Sequence, residues 1–590
     1  MGAERSRSDL MLKRLLKCVK GYWFYTIATP LCVLAEVMMS VLIPYKMADL
    51  IDKGVEVGNM EVIKQVGLVL IVYAVISMVF GILSGVFSAI ASCGFATNIR
   101  HDMYYKIQTF SFSNVDKFSS AGLVTRMTSD VTRLQFAFNM STRMATRAPA
   151  GMIFALIMSF RINKRLPLVF LAVLPFLGLC LGIIMKKAMP LFKKVFESYD
   201  DVNRTVQENV RGIRVVKSFV REEFEKEKFR GVVGMLKNLS IKAERIVAIN
   251  APVMNISMYV CSLGVCWLGA KFIVAGDMTT GQLMSIMNYI LQILMSLMFL
   301  SMIFLNLTQA KAAGDRIVAV LNEEPDIKNC DDPIKELKDG SIRFENVSFA
   351  YGEGKDCLKD IDLEIKSGET IGIIGGTGTG KTSLVQLIPR LYDVRTGAVY
   401  VGGDNVKDID LTVLRSGVAM VLQKNLLFSG TIRSNMQWGK ADATDDEIWE
   451  ALRLAQADSF VRALTAGLDS PIEQGGSNVS GGQKQRLCIA RALLTDPKIL
   501  ILDDSTSAVD TATEARIREG FRKFMPEVTK LIIAQRISSV RDADRIIVID
   551  DGIISGVGTH DQLMASNEIY REVYESQTKG GDFDEPKADK

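Results

Sequence analysis

Histidine is almost missing from this chain, with two in 590 residues, His101 and His560. Any role that needs a titratable imidazole has only those two places to come from. Cysteine occurs nine times but never as a CxxC pair, and the thiols fall in apolar or cytosolic-looking segments, which reads as reduced and inert. An excess of one charge is also lacking. Seventy Lys and Arg face 66 Asp and Glu, a net +4, so the balance does not point to nucleic acid. The basic, amphipathic start "MGAERSRSDLMLKRLLK" has no small-residue cleavage site after its apolar stretch. That argues against a removable signal and for a cytoplasmic helix lying along a membrane surface.

Apolar residues, by contrast, make up 48% of the chain beside 23% charged ones, with a mean hydropathy of +0.20. That pairing predicts a membrane part joined to a soluble part. Six stretches near 21–45, 64–92, 143–162, 164–187, 247–274 and 281–309 reach or exceed the roughly 20 residues needed to cross a bilayer. The loops after the second and fourth are long, charged and helical in period. They predict helices reaching well beyond the membrane. Basic residues crowd these loops and the N-terminus, while "DLIDKGVEVGNME" and "VAGDMTTGQ" are acidic or neutral, so both termini are expected in the cytoplasm. Arg161, Lys164 and Arg165 run against that orientation, unless they snorkel to lipid phosphates. The expected layout is an all-α membrane domain over 1–325, a polar linker over 326–340, an α/β domain over 341–575 and a disordered tail over 576–590.

The chemistry lies in the α/β part. "GGTGTGKT" follows the strand-like "TIGII" and precedes the helical "SLVQLI". Gly375, Gly376, Thr377, Gly378, Thr379 and Gly380 let backbone N–H groups wrap around phosphates at a helix start. Lys381 reaches the β- and γ-phosphates of a nucleoside triphosphate, Thr382 supplies a Mg²⁺ ligand, and Ser383 continues the helix. Further on, Ile499 to Leu502 read as a strand buried on both faces, ending in the adjacent carboxylates Asp503 and Asp504.

"VSGGQKQR" at 479–486, between the phosphate loop and that strand, resembles the signature of the ATP-binding cassette family. With six preceding spans the whole chain resembles an ABC exporter half-transporter. The resemblance implies a two-cassette sandwich, in which Ser480, Gly481, Gly482 and Gln483 hold the γ-phosphate of an ATP on the partner. It also implies that Tyr351 stacks on adenine, that Gln423 senses Mg²⁺ and leads towards the membrane-domain contact, and that Asp510 in "SAVD" communicates across the dimer. Asp503 matches the family's Mg²⁺-associated aspartate.

Two positions depart from the family's pattern. Asp504 stands where a catalytic glutamate is usual, and Gln535 where a switch histidine is usual. One methylene fewer withdraws the carboxylate by about 1–1.5 Å, and a misplacement of ~1 Å costs on the order of 100-fold in rate. Glutamine can hydrogen-bond a phosphate but cannot titrate. The implied protein is the degenerate-site subunit of a heterodimeric, bacterial-type multidrug exporter in the cytoplasmic membrane, whose partner is a homologous half-transporter with an intact site. A homodimer hydrolysing slowly through Asp504 is the alternative.

The loops "FSSAGLVTRMTSDV" (118–131) and "ENVRGIRVVKSF" (208–219) resemble the family's cytoplasmic loops and are expected to dock on the cassettes near Gln423. For cargo, Met284, Met287, Met295, Met298 and Met302 fall within one stripe of the sixth span, suiting hydrophobic ligands or plain packing. Glu36 lies inside the first span, where a carboxylate either attracts cationic compounds or accepts a structural hydrogen bond. A peptide or lipid exporter, and an ATP-switched channel, remain open. The absence of a peptidase domain before the first span argues against self-processing peptide exporters.

Overall fold

The structure is a computed structural model that describes residues 11–505 and 508–579. Within it the chain divides into two compact units. One holds the residues up to Gln108 and Ala121–Glu323; the other holds Thr109–Ser120 and everything from Glu324 onward. The boundary thus falls close to the expected 325, but a twelve-residue piece of the long loop after the second span belongs with the second unit.

The first unit is helical throughout. Its long helices are α1 (Trp23–Leu50), α2 (Met60–Gln108), α4 (Val131–Ile162), α5 (Pro167–Arg211), α6 (Glu222–Ala248), α7 (Asn250–Val274) and α8 (Thr280–Asn322); α3 (Phe112–Phe118) belongs to the second unit. All six expected spans are helical. Five are long and apolar enough to cross a membrane; the exception is α4, which carries Arg143, Arg147 and Arg161. Val33, Val37 and Val41 of α1, Ala155 of α4 and Ile286, Tyr289 and Ile290 of α8 form a shared core. Tyr289, fully buried, donates its hydroxyl to the Val41 carbonyl at 2.7 Å, which satisfies the one polar atom it brings inside. On α2, Leu68, Ile71, Val75, Met78 and Ile82 recur at helical spacing and are all exposed. An apolar stripe of that length left uncovered is what a bilayer-facing helix presents.

The turn at Arg161–Arg165 is closed by Asn163, whose side chain accepts from the amides of Arg165 and Leu166 at 2.8 and 3.1 Å. At the N-terminus, Leu15, Cys18 and Val19 are buried, and Asn98 donates to the carbonyls of Cys18 and Lys20. The described part of the expected interfacial helix is therefore packed against protein on one side. Residues 1–10 lie outside the described residues.

The second unit is built on two large sheets, beside a short antiparallel pair of β7 (Gly430–Thr431) and β8 (Pro471–Ile472). The antiparallel one has the order β2–β1–β4–β5: β1 (Ile342–Phe349), β2 (Leu358–Ile365), β4 (Thr396–Val401) and β5 (Asp404–Asn405). The larger one runs β12–β11–β3–β10–β9–β6: β3 (Thr370–Gly375), β6 (Val418–Val421), β9 (Ile499–Asp503), β10 (Thr529–Ile533), β11 (Arg545–Asp550) and β12 (Ile553–Gly558). All its pairings are parallel except that of β12. Alternate residues of the central strands serve opposite cores: Ile499 and Ile501 face one, Leu500 and Leu502 the other. A strand covered on both faces needs a continuous apolar run, which is why "ILIL" is legible.

Two expected boundaries shift. The linker is not free, because Leu337 is buried and Ile334 bridges Ile409. The last helix, Glu568–Lys579, carries the folded unit past 575; of the expected tail, 580–590 lie outside the described residues.

Candidate functional site

β3 ends at Gly375, and the chain turns into α9 (Lys381–Gln386). The turn requires glycine twice over. A Cβ on Gly375 would lie 2.2 Å from the Ile549 carbonyl oxygen, and Gly380, at φ +99°, would bring one to 2.7 Å from that of Cys357. Lys381 closes the loop on itself, donating to the carbonyls of Gly375 and Gly376 at 2.8 and 2.5 Å. Burial pushes its pKa down, and Asp503 and Asp504 work against that.

Asp503 ends β9 at 2% exposure. Its Oδ1 accepts from the Thr382 hydroxyl at 3.1 Å, while Oδ2 is buried with no hydrogen-bond partner among the described residues. Burial lifts its pKa above the usual aspartate value, and the neighbouring Asp504 adds to the rise, against Thr382 and Lys381. A hydroxyl oxygen beside a carboxylate with an unengaged oxygen is a hard-oxygen donor set, and Mg²⁺ fits it.

Asp504 is in the left-handed region at φ +48°, with its N–H on the Ile533 carbonyl at 3.0 Å. Its Oδ2 accepts from the Gln535 amide at 2.7 Å and sits 3.5 Å from that of Gln423. The two unusual positions are thus one contact. Gln423 is engaged with Asp504 here, so of the three residues expected around Mg²⁺ the structure joins Thr382 and Asp503.

Sequence reading missed Gln577. Its side chain donates to the Gln535 carbonyl at 2.8 Å and accepts from the Ile537 amide at 2.9 Å, clamping the segment that carries Gln535. It lies beyond the expected domain end, and no pattern in the sequence marks it.

Tyr351, 44% exposed, shares a 3.0 Å hydrogen bond with the Ser383 hydroxyl and donates to Gln386 at 3.0 Å, which fixes its ring beside α9. Ser480 caps α10 (Gly481–Leu493) in a reciprocal box with Gln483: the Gln483 amide donates to its hydroxyl, and its own amide donates to the Gln483 side chain at 3.0 Å. Ser480 and Gly481 are exposed. A Cβ on Gly482 would lie 2.7 Å from the Ala508 carbonyl, and the buried Gln485 accepts from the Ala508 amide at 3.0 Å. Gln485, also missed, ties the signature helix to the segment before Asp510. Asp510 caps α11 (Thr511–Phe524) by accepting from the Thr513 amide at 2.9 Å, which holds its pKa below the usual range.

In the helical unit Glu36 is 7% exposed and paired with Arg147 of α4 at 2.5 Å. A carboxylate already matched by a guanidinium offers little to a cationic ligand. Of the methionine stripe, Met284, Met295, Met298 and Met302 are exposed, whereas Met287 packs against Cys266. Met295 and Arg147 line one cavity of 170 Å³ with Gln292, Ser296 and Phe299. The first expected docking loop is corrected in place: the segment packed with the cassette is 109–120, on Tyr392 and Asp326.

A phosphate loop, a strand ending in paired carboxylates and a serine-capped signature helix define an ATPase cassette, here fused to a unit of membrane-type helices. Comparison with known proteins agrees. Residues 26–297 match the ABC transporter transmembrane region and 358–507 the ABC transporter family. The chain is 36% identical over 567 residues to the uncharacterized ABC transporter ATP-binding protein YfiB of Bacillus subtilis, covering 96% of this chain and 98% of the relative. It is 35% identical to the uncharacterized ABC transporter ATP-binding protein Rv1273c of Mycobacterium tuberculosis, covering 92% and 94%. It is also 32% identical to an ATP-dependent lipid A-core flippase of Desulfotalea psychrophila, covering 81% and 84%. The chain belongs to the ABC transporter family, as an exporter with its transmembrane domain fused to its ATPase domain.

Proposed function

We propose that this chain is one half of a heterodimeric ABC exporter in the cytoplasmic membrane, with both termini cytoplasmic. Its own ATP site binds more than it hydrolyses, and its signature, Ser480 to Gln483, completes the partner's site. The observation that carries this reading is the contact between Asp504 and Gln535. A short carboxylate whose oxygen is held by a neutral amide is badly placed to take a proton from water, and Gln535 has no proton to exchange.

The binding side has what nucleotide binding needs. Lys381 and the loop amides hold the phosphates, Tyr351 offers a ring face to adenine, and Thr382 and Asp503 are the residues that would hold Mg²⁺. When bound, that ion neutralises phosphate charge. Asp510 would report across the dimer.

The cargo we infer is a hydrophobic or amphipathic molecule. The exposed methionines of α8 support a drug-like compound, while the neutralised Glu36 and the likeness to a lipid A-core flippase favour a lipid over a cationic drug. The test is ATP hydrolysis by the purified chain alone and after co-expression with a candidate half-transporter. Activity confined to the mixture, and abolished by changing the partner's catalytic glutamate, is the expected result. Equal activity from the chain alone would make it a homodimer.

A further inference from the structure

Helix α3 begins only four residues after α2 ends, yet it packs with the cassette. Ser111 and Ser113 both donate to Asp326, the second at 2.6 Å, and Asn114 donates to the Glu324 carbonyl at 3.2 Å. These contacts fix the start of the helix to the segment that follows α8. A further anchor is different in kind. The Tyr392 hydroxyl donates to Asp116 at 2.6 Å, and the Tyr392 ring meets that of Phe112 edge-on, 6.0 Å between centroids.

Tyr392 also meets Tyr351, edge-on at 5.1 Å and 88°. Tyr351 in turn bonds Ser383, the second residue after the phosphate-loop lysine. A path of four side chains therefore runs from α9 to α3 without a gap, through two hydrogen bonds and one aromatic contact. Each is directional, so a rotation of the Tyr351 ring bears on the placement of Tyr392. Burial, then the bond to Asp116, push the Tyr392 phenol pKa up, which keeps the proton on tyrosine and the direction of the bond fixed.

We propose that Tyr392 is a positioning residue that links the seating of adenine on Tyr351 to the hold on Asp116, so that nucleotide binding in this chain's own site fixes α3. The inference rests on the reading of Tyr351 as the adenine platform. It gives a site that binds without efficient hydrolysis something to do: occupancy alone sets the segment that follows α2.

The test is hydrogen exchange of residues 109–120 in the purified full chain, with and without ATP in the presence of a chelator. ATP is expected to slow exchange there by about threefold or more in the parent chain, the size of a modest local stabilisation. Tyr392→Phe keeps the ring but not the bond. It should lose the slowing while ATP affinity changes by less than about threefold. Asp116→Asn keeps an acceptor and should retain the slowing. Persistence of the slowing in Tyr392→Phe, or its absence from the parent, overturns the proposal. Tyr351→Ala separates the two readings: unchanged ATP affinity removes the adenine platform, whereas weakened affinity with unaltered exchange removes only the link.

Discussion

Two buried carboxylates, one in each unit, are treated in opposite ways. Asp503 in the cassette and Glu36 in the helical unit each have one oxygen bonded and one, Oδ2 and Oε2, with no hydrogen-bond partner among the described residues. The bonded oxygen of Glu36 meets a guanidinium at 2.5 Å, whereas that of Asp503 meets only the neutral hydroxyl of Thr382. Burying an ionised carboxylate costs several kcal/mol unless a cation compensates it. For Glu36 the fold supplies the cation from α4. For Asp503 it does not, because Lys381 directs its bonds to Gly375 and Gly376. A carboxylate left open is built for an incoming ion, and one already closed is built to hold helices together.

The comparison can be broken most sharply at the phosphate loop. Lys381→Ala removes charged hydrogen bonds to nucleotide and should weaken ATP binding on the order of 1,000-fold, read by a fluorescent ATP analogue. Asp503→Asn should abolish the Mg²⁺ dependence of that binding, and a dependence that survives would mean that Oδ2 is not kept open for a cation. In the helical unit, Arg147→Met strands Glu36 and should cost about 3 kcal/mol, the low end for a broken buried pair because Arg147 is 40% exposed. Adding Glu36→Gln should restore most of the loss in thermal unfolding. No recovery would show that the pair is not what closes this carboxylate.

A smaller effect sharpens the contrast within the cassette. Asp504→Glu with Gln535→His should raise ATP turnover at this chain's own site by about 10–100-fold, measured beside a partner whose catalytic glutamate has been changed, since the reach lost is ~1 Å. An unchanged rate would place the limit elsewhere. Smallest is Gln577→Ala, which deletes the two bonds to the backbone of Gln535 and Ile537 and should lower the local stability around Gln535 by about 1 kcal/mol, seen as faster amide exchange over 535–537.

Much of this is legible in the amino-acid sequence. "GGTGTGKT" declares its geometry because only glycine tolerates the close approaches at 375 and 380. "ILIL" declares a doubly covered strand, and the apolar runs declare spans. What was not readable is informative in its own way. The third span, with three arginines, looks poorly suited to a membrane until Arg147 is seen against Glu36. Nothing in the sequence pairs residues 111 apart. Gln485 and Gln577 act through backbone groups, which leave no pattern in side-chain identity. The expected docking segment was misplaced because helical period alone does not say which body a helix packs on.

Local chemistry is what the sequence determined by itself: a phosphate loop, a signature, a missing histidine and a carboxylate one methylene short. Each depends on residue type within a few positions, where backbone geometry is nearly fixed by covalent structure. Only the tertiary structure decided that Asp504 and Gln535 are one contact, that Glu36 is already neutralised, and that Tyr392 stands between Tyr351 and Asp116. Those facts join residues 31 to 276 positions apart, and contacts over such distances are set by how the whole chain buries its apolar surface.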